Sequence, residues 1–93
     1  MNLGEIVAGF GKGILAGAAG AAMVSQWRDY RIEAARSRID EVVASAVRQQ
    51  DSVLISSVFT AFSNEIREAA SWEVQDHLSQ LLWYYKVSLD RHL

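Results

Sequence analysis

The sequence predicts an all-α protein, and three observations indicate this fold class. No proline occurs in the 93 residues, and all six glycines lie between Gly4 and Gly20, so the usual turn residues are missing afterwards. Apolar residues recur at helical spacing in three later stretches. Before them, residues 6–24 form a run of small and apolar residues with Lys12 as its only charge. We therefore expect one N-terminal transmembrane helix followed by amphipathic helices.

The transmembrane helix is predicted from the length of this run and from the residues directly after it. Residues 6–24, at about 1.5 Å rise per residue, match the roughly 30 Å hydrocarbon core of a bilayer. The candidate membrane-interface residues come at the end of the run: Trp27, Arg28, Tyr30 and Arg31. Aromatic and cationic residues are typical of that position, and the positive charge places the C-terminal part in the cytoplasm and the N-terminus outside.

A stripe of small residues runs along one side of the predicted helix, as in a glycine zipper. Small residues at such spacing let helix backbones approach closely in a bilayer, which predicts helix packing and a homo-oligomer. The candidate packing residues are Gly9, Gly13, Ala16, Gly17 and Gly20. Glu5 and Lys12 lie on the same side and are candidates to face a water-filled lumen or a partner. Alternatively, Lys12 extends to the nearer membrane interface.

Three amphipathic helices are predicted after the apolar run. Nothing between Val24 and Arg31 stops a helix, so the first amphipathic helix, over residues 31–48, can continue unbroken from the membrane segment. Residues 49–52 are the best candidate break, with Asp51 or Ser52 as the N-cap of a helix over residues 53–70. Ser71 is the predicted cap of the last helix. Within that helix residues 81–85 are expected to be core with some partner contact.

Composition and motifs limit the functions that this protein can have. We divide the chain into a membrane-spanning helix at residues 1–27 and a small helical domain outside the membrane at residues 28–93. The formal net charge of −2 argues against nucleic acid as a partner, and the absence of cysteine excludes thiol ligands. No glycine-rich phosphate loop, nucleophile motif or metal-ligand spacing occurs. We expect no catalytic residues, no cofactor, no metal and no enzymatic activity.

Three functions remain compatible with the sequence. The leading hypothesis is a single-pass membrane protein that acts as a structural or accessory subunit of a membrane-associated oligomeric assembly. The first alternative is a pore-forming or translocation element lined by the glycine face with Glu5 and Lys12. The second is a soluble, all-helical shell or scaffold subunit whose Gly/Ala-rich helix is buried and does not meet lipid. The expected partners are the lipid bilayer and further copies of the chain or a larger membrane complex.

Overall fold

The computed structural model describes residues 17–93, with side chains from residue 20 onward, and this part of the chain is all-helical. Within residues 17–93, four α-helices follow one another: α1 (Gly17–Asp29), α2 (Ile32–Arg48), α3 (Ser52–Glu68) and α4 (Trp72–His92). The all-α prediction is therefore confirmed. Among the described helices, none has both the length and the apolar character needed to cross a bilayer.

The first helix does not run unbroken into the amphipathic helix, although the sequence allowed it to. Helix α1 ends at Asp29, and the backbone N–H of Tyr30 donates to the carbonyl of Trp27 at 3.2 Å. Arg31 is extended, and α2 begins at Ile32. The break contains neither glycine nor proline, the residues that most often end a helix. It allows α1 and α2 to pack separately on the rest of the bundle, which a continuous helix could not do.

The other two helix starts are as predicted, because each has a side-chain cap. Asp51 accepts a hydrogen bond from the backbone N–H of Leu54 at 3.0 Å, and Ser71 accepts one from Val74 at 3.3 Å. Between α2 and α3 the chain turns at Gln50, whose φ of 55° is left-handed. A non-glycine residue there costs about 1–2 kcal/mol. The turn is closed by Asp51 N–H donating to Ala46 O at 2.8 Å.

Helices that are not consecutive in the chain make most of the packing contacts. Helix α1 packs mainly on α3, α2 packs mainly on α4, and α3 and α4 contact each other, whereas α1 and α2 barely touch. The fully buried aliphatic and aromatic residues that fill the centre are Val24, Trp27, Ala35, Ile39, Val43, Ala46, Ile55, Val58, Ala61, Phe62, Leu78, Leu81, Tyr85 and Leu89. Each of the four helices contributes to one continuous core.

Helix α3 is buried on two sides, which its sequence pattern does not indicate. Helical periodicity predicts Ser56 on the solvent face, yet both Ser56 and Ser57 are buried. Their hydroxyls donate to the carbonyls of Ser52 and Val53 at 2.8 and 2.7 Å, so burial leaves neither hydroxyl unsatisfied. Gly20 of α1 approaches the backbone of α3 at Ser57, whereas Tyr85 of α4 contacts α3 at Ile55 and Phe59.

Candidate interaction surface

The predicted helix-packing residues lie partly in the described structure. Gly17 begins α1, and Gly20 faces the backbone of α3 within the same chain. A Cβ atom added to Gly20 would lie 2.6 Å from the carbonyl oxygen of Ser57. The remaining predicted packing and lumen residues lie outside the described residues: Glu5, Gly9, Lys12, Gly13 and Ala16.

The predicted membrane-interface residues are distributed between core and surface. Trp27 is buried, and its ring stacks on Phe62 with centroids 5.5 Å apart. Arg28 donates from a guanidinium nitrogen to Glu65 Oε2 on α3 at 2.9 Å. Tyr30 and Arg31, at the break between α1 and α2, are both exposed. Within residues 20–27 of the predicted spanning segment, Gly20, Val24 and Trp27 are thus buried against protein.

The most exposed large apolar side chains of the described residues are Trp72 and Trp83, both on α4. Their exposed fractions are 73% and 63%. Eleven residues of α-helix make three turns plus about 20°, so the two tryptophans lie on one face about 16 Å apart. We call this surface the tryptophan face, and it comprises Trp72, Asp76, Ser79, Trp83 and Asp90. The buried residues of α4 lie on its opposite side.

The tryptophan face is negatively charged because the nearby cations of α4 are engaged elsewhere. The Lys86 ammonium lies 5.3 Å from the ring centroid of Phe59 on α3. A guanidinium nitrogen of Arg91 lies 3.5 Å from Oδ1 of Asp40 on α2. Asp76 and Asp90 remain exposed beside Trp83. Acidic residues around exposed tryptophans favour a protein partner over an anionic membrane surface, which attracts Lys and Arg.

A shallow groove opens where α1 and α2 diverge above α3. It has a volume of about 260 Å³ and is open to solvent on one side. We call it the α1–α2 groove, and its lining consists of Met23, Arg38, Glu41, Val42, Ser45 and Leu54. The three apolar side chains are half-buried and form its floor, and the polar residues form its rim.

Asp40 on α2 joins that helix to the C-terminal end of α4. Its Oδ1 accepts a hydrogen bond from the buried Ser88 hydroxyl at 2.8 Å and lies 3.2 Å from His92 Nε2. These are the residue types of a hydrolytic triad, but the carboxylate lies between serine and histidine. The histidine cannot therefore take the serine proton, as nucleophilic catalysis would require. The cluster is an interhelical tether. Within residues 17–93, no group of histidine, aspartate and glutamate residues could hold a metal ion.

Asp40 makes the stability of the protein depend on pH. The Ser88 hydrogen bond lowers the pKa of Asp40 below its ordinary 3.8, with help from His92 and Arg91 and against the opposing effect of burial. A carboxyl whose folded pKa is lowered stabilises the fold above its unfolded pKa. That stabilisation is lost as the pH falls from about the unfolded pKa through the folded one.

Asp40→Ala is expected to lower the free energy of unfolding by about 1 kcal/mol at neutral pH, since it leaves the buried Ser88 hydroxyl without its carboxylate acceptor. Urea unfolding at a series of pH values measures the effect, and the difference from the unmodified protein should shrink as the pH falls below 3.8. Asp90→Ala, on the outward side of α4, is the control and should change stability by no more than about 0.5 kcal/mol. A difference for Asp40→Ala that does not change with pH would contradict this role.

No known protein family matches the chain, and neither a curated protein nor a solved structure is significantly similar to it. Its function must be inferred from its own surface. The sequence analysis predicted that residues 81–85 are core residues with some partner contact. Leu81 and Tyr85 are core, whereas Trp83 is exposed. The helical angle between Trp72 and Trp83 was the signal that could have identified the tryptophan face.

Proposed function

We propose that this protein is a structural or accessory subunit of an oligomeric assembly and that it functions by contacts between helical bundles. The observation that supports this function is the tryptophan face. Two tryptophans on the outward side of one helix expose a large apolar area, and such patches are typical of protein–protein contacts. Tryptophan is also enriched among the residues that dominate interface energies.

The proposed form of the subunit is the bundle with its Gly/Ala-rich helix packed inside the chain. A span over residues 6–24 would have to remove α1 from α3, because residues 17–24 belong to α1. That step would expose Val24 and Trp27, which are core residues. Residues 6–16 alone would make a helix of only about 16 Å, well short of the roughly 30 Å hydrocarbon core.

A membrane-anchored subunit is the second candidate. It is favoured by the composition of residues 6–16, where Lys12 is the only charge. In this form the apolar segment would associate with the bilayer and the bundle would make the contacts of the assembly outside it. The two candidates share the tryptophan face and differ in the surroundings of α1.

Two measurements on the full chain test the proposal. Sedimentation velocity at micromolar concentration should show a discrete oligomer, and a monomer at every concentration would refute an assembly subunit. Carbonate extraction of cells that express the protein separates the two candidates. The bundle form should be released without detergent, whereas the anchored form should remain with the membranes until detergent is added. A known single-pass protein and a known peripheral protein in the same cells serve as controls.

A further inference from the structure

We propose that the chain assembles head to tail, with Trp83 of one copy seated in the α1–α2 groove of a second copy. This inference rests on the proposed function, since it names the partner of the tryptophan face as the protein itself. It also identifies the surface that receives the tryptophan face.

The α1–α2 groove has the size and lining that suit one indole ring. Its floor is formed by Met23, Val42 and Leu54, one from each of three helices, and all three are only half-buried. Its volume of about 260 Å³ suits a single large side chain. Met23 adds a flexible thioether, which adapts well to an aromatic ring. An apolar side chain seated there would complete the burial of the floor.

Trp83 is the side chain best placed to fill such a groove. It lies in the middle of α4 and is 63% exposed, so it does not occupy the groove of its own chain. Asp76 precedes it by seven residues and Asp90 follows it by seven, so both lie within about 20° of it on the same face. Trp83 therefore projects from a negatively charged strip.

The rim of the groove contains Arg38 and Glu41, and Arg38 is the charge that complements this strip. Arg38 lies on the rim with a side chain 53% exposed, and its ion pair with Glu41 is a loose one at 3.7 Å. Arg31, the extended residue directly before α2, is a second exposed cation at the N-terminal end of that helix. Asp76 and Asp90 lie about 10 Å to either side of Trp83, so a second copy docked through Trp83 would bring one of them towards these arginines, which favours the encounter.

The same charges disfavour pairing of two tryptophan faces, because the carboxylates of Asp76 and Asp90 would then repel those of the second copy. The contact is instead heterologous: the surface that a copy offers differs from the surface that it receives. A dimer formed in this way keeps one free tryptophan face and one free groove, and such contacts produce rings or filaments.

Single-cysteine cross-linking tests this contact directly, because the chain contains no cysteine of its own. Ser79 lies one turn before Trp83 on the tryptophan face, and Ser45 lines the groove. Copies that contain Ser79→Cys are mixed with size-tagged copies that contain Ser45→Cys, and the mixture is oxidised. Each copy has one thiol, so any disulfide between the two kinds is intermolecular. We expect a mixed dimer as the main product.

Two matched serine replacements control for chance collision. Ser63→Cys, exposed on α3, replaces Ser79→Cys, and Ser37→Cys, exposed on α2, replaces Ser45→Cys. Both control mixtures should give little mixed dimer. Equal cross-linking in the test and control mixtures would overturn the inference.

The binding contribution of Trp83 gives a second, independent readout. Trp83→Ala should weaken self-association roughly thirtyfold in sedimentation experiments, as expected for a central tryptophan. Trp72→Ala, three turns away on the same face, should weaken it by less than about threefold if the groove takes only one ring. Circular dichroism should show unchanged helix content in both, since both side chains are exposed.

The outcomes distinguish this inference from the proposed function. An oligomer that tolerates Trp83→Ala and gives no specific cross-link would overturn the head-to-tail contact and leave the assembly subunit standing. A monomer at every concentration would overturn both. Arg38→Glu should also weaken association, and Asp90→Arg in the same chain should restore part of it, because a copy docked with Ser79 beside Ser45 has Asp90 at the Arg38 end of the groove.

Discussion

Trp27→Ala is expected to lower the free energy of unfolding by about 3–5 kcal/mol, the range for removal of a large buried aromatic side chain. Trp27 is 1% exposed and stacks on Phe62, so alanine would leave a cavity between α1 and α3. Urea unfolding followed by circular dichroism measures the loss.

Trp72→Ala is the matched control for this experiment, because Trp72 is 73% exposed. It should change the free energy of unfolding by no more than about 0.5 kcal/mol. The comparison also separates the two candidate forms of the subunit. If Trp27 lies at a membrane interface instead of in the core, Trp27→Ala will have as little effect on unfolding of the bundle as Trp72→Ala does.

Gly20→Val is expected to destabilise the bundle by roughly 1–3 kcal/mol through overpacking. An added Cβ would lie 2.6 Å from the carbonyl oxygen of Ser57 and 2.7 Å from its carbonyl carbon. Both atoms belong to the backbone of α3, so no side-chain rotation relieves the clash and α1 must move away. Valine has the higher helix propensity, so local preference alone would predict the opposite sign.

Ala22→Val is the control for Gly20→Val, since Ala22 lies two residues further along α1 and is exposed. It should cost no more than the difference in helix propensity, about 0.7 kcal/mol or less. Thermal unfolding of both variants measures the contrast. Equal stability of the two variants would mean that α1 does not approach α3 at Gly20.

The sequence was a sufficient guide to the starts of α3 and α4 and to the core-facing sides of α2 and α4. Asp51 and Ser71 are side chains that satisfy free N–H groups at a helix start, and such caps act over only a few residues. The faces predicted for α2 and α4 are also buried, as Ile39 and Leu78 illustrate. Local hydrogen bonding and helical periodicity are properties of a short segment, so they can be predicted from that segment without knowledge of the tertiary structure.

Other features were decided only when the helices packed together. An apolar run indicates that a segment is buried, but it does not distinguish burial in lipid from burial in protein. Gly20 and Trp27 suit a helix in lipid as well as a helix packed against α3. The break at Tyr30 and Arg31 has no local signal, because it is made by the separate packing of α1 and α2. Trp83 resembles its neighbours Leu82 and Tyr84 in hydrophobicity. Only the position of α4 on α2 and α3 determined that this ring faces outward, because a helix can bury only the side that its neighbours cover.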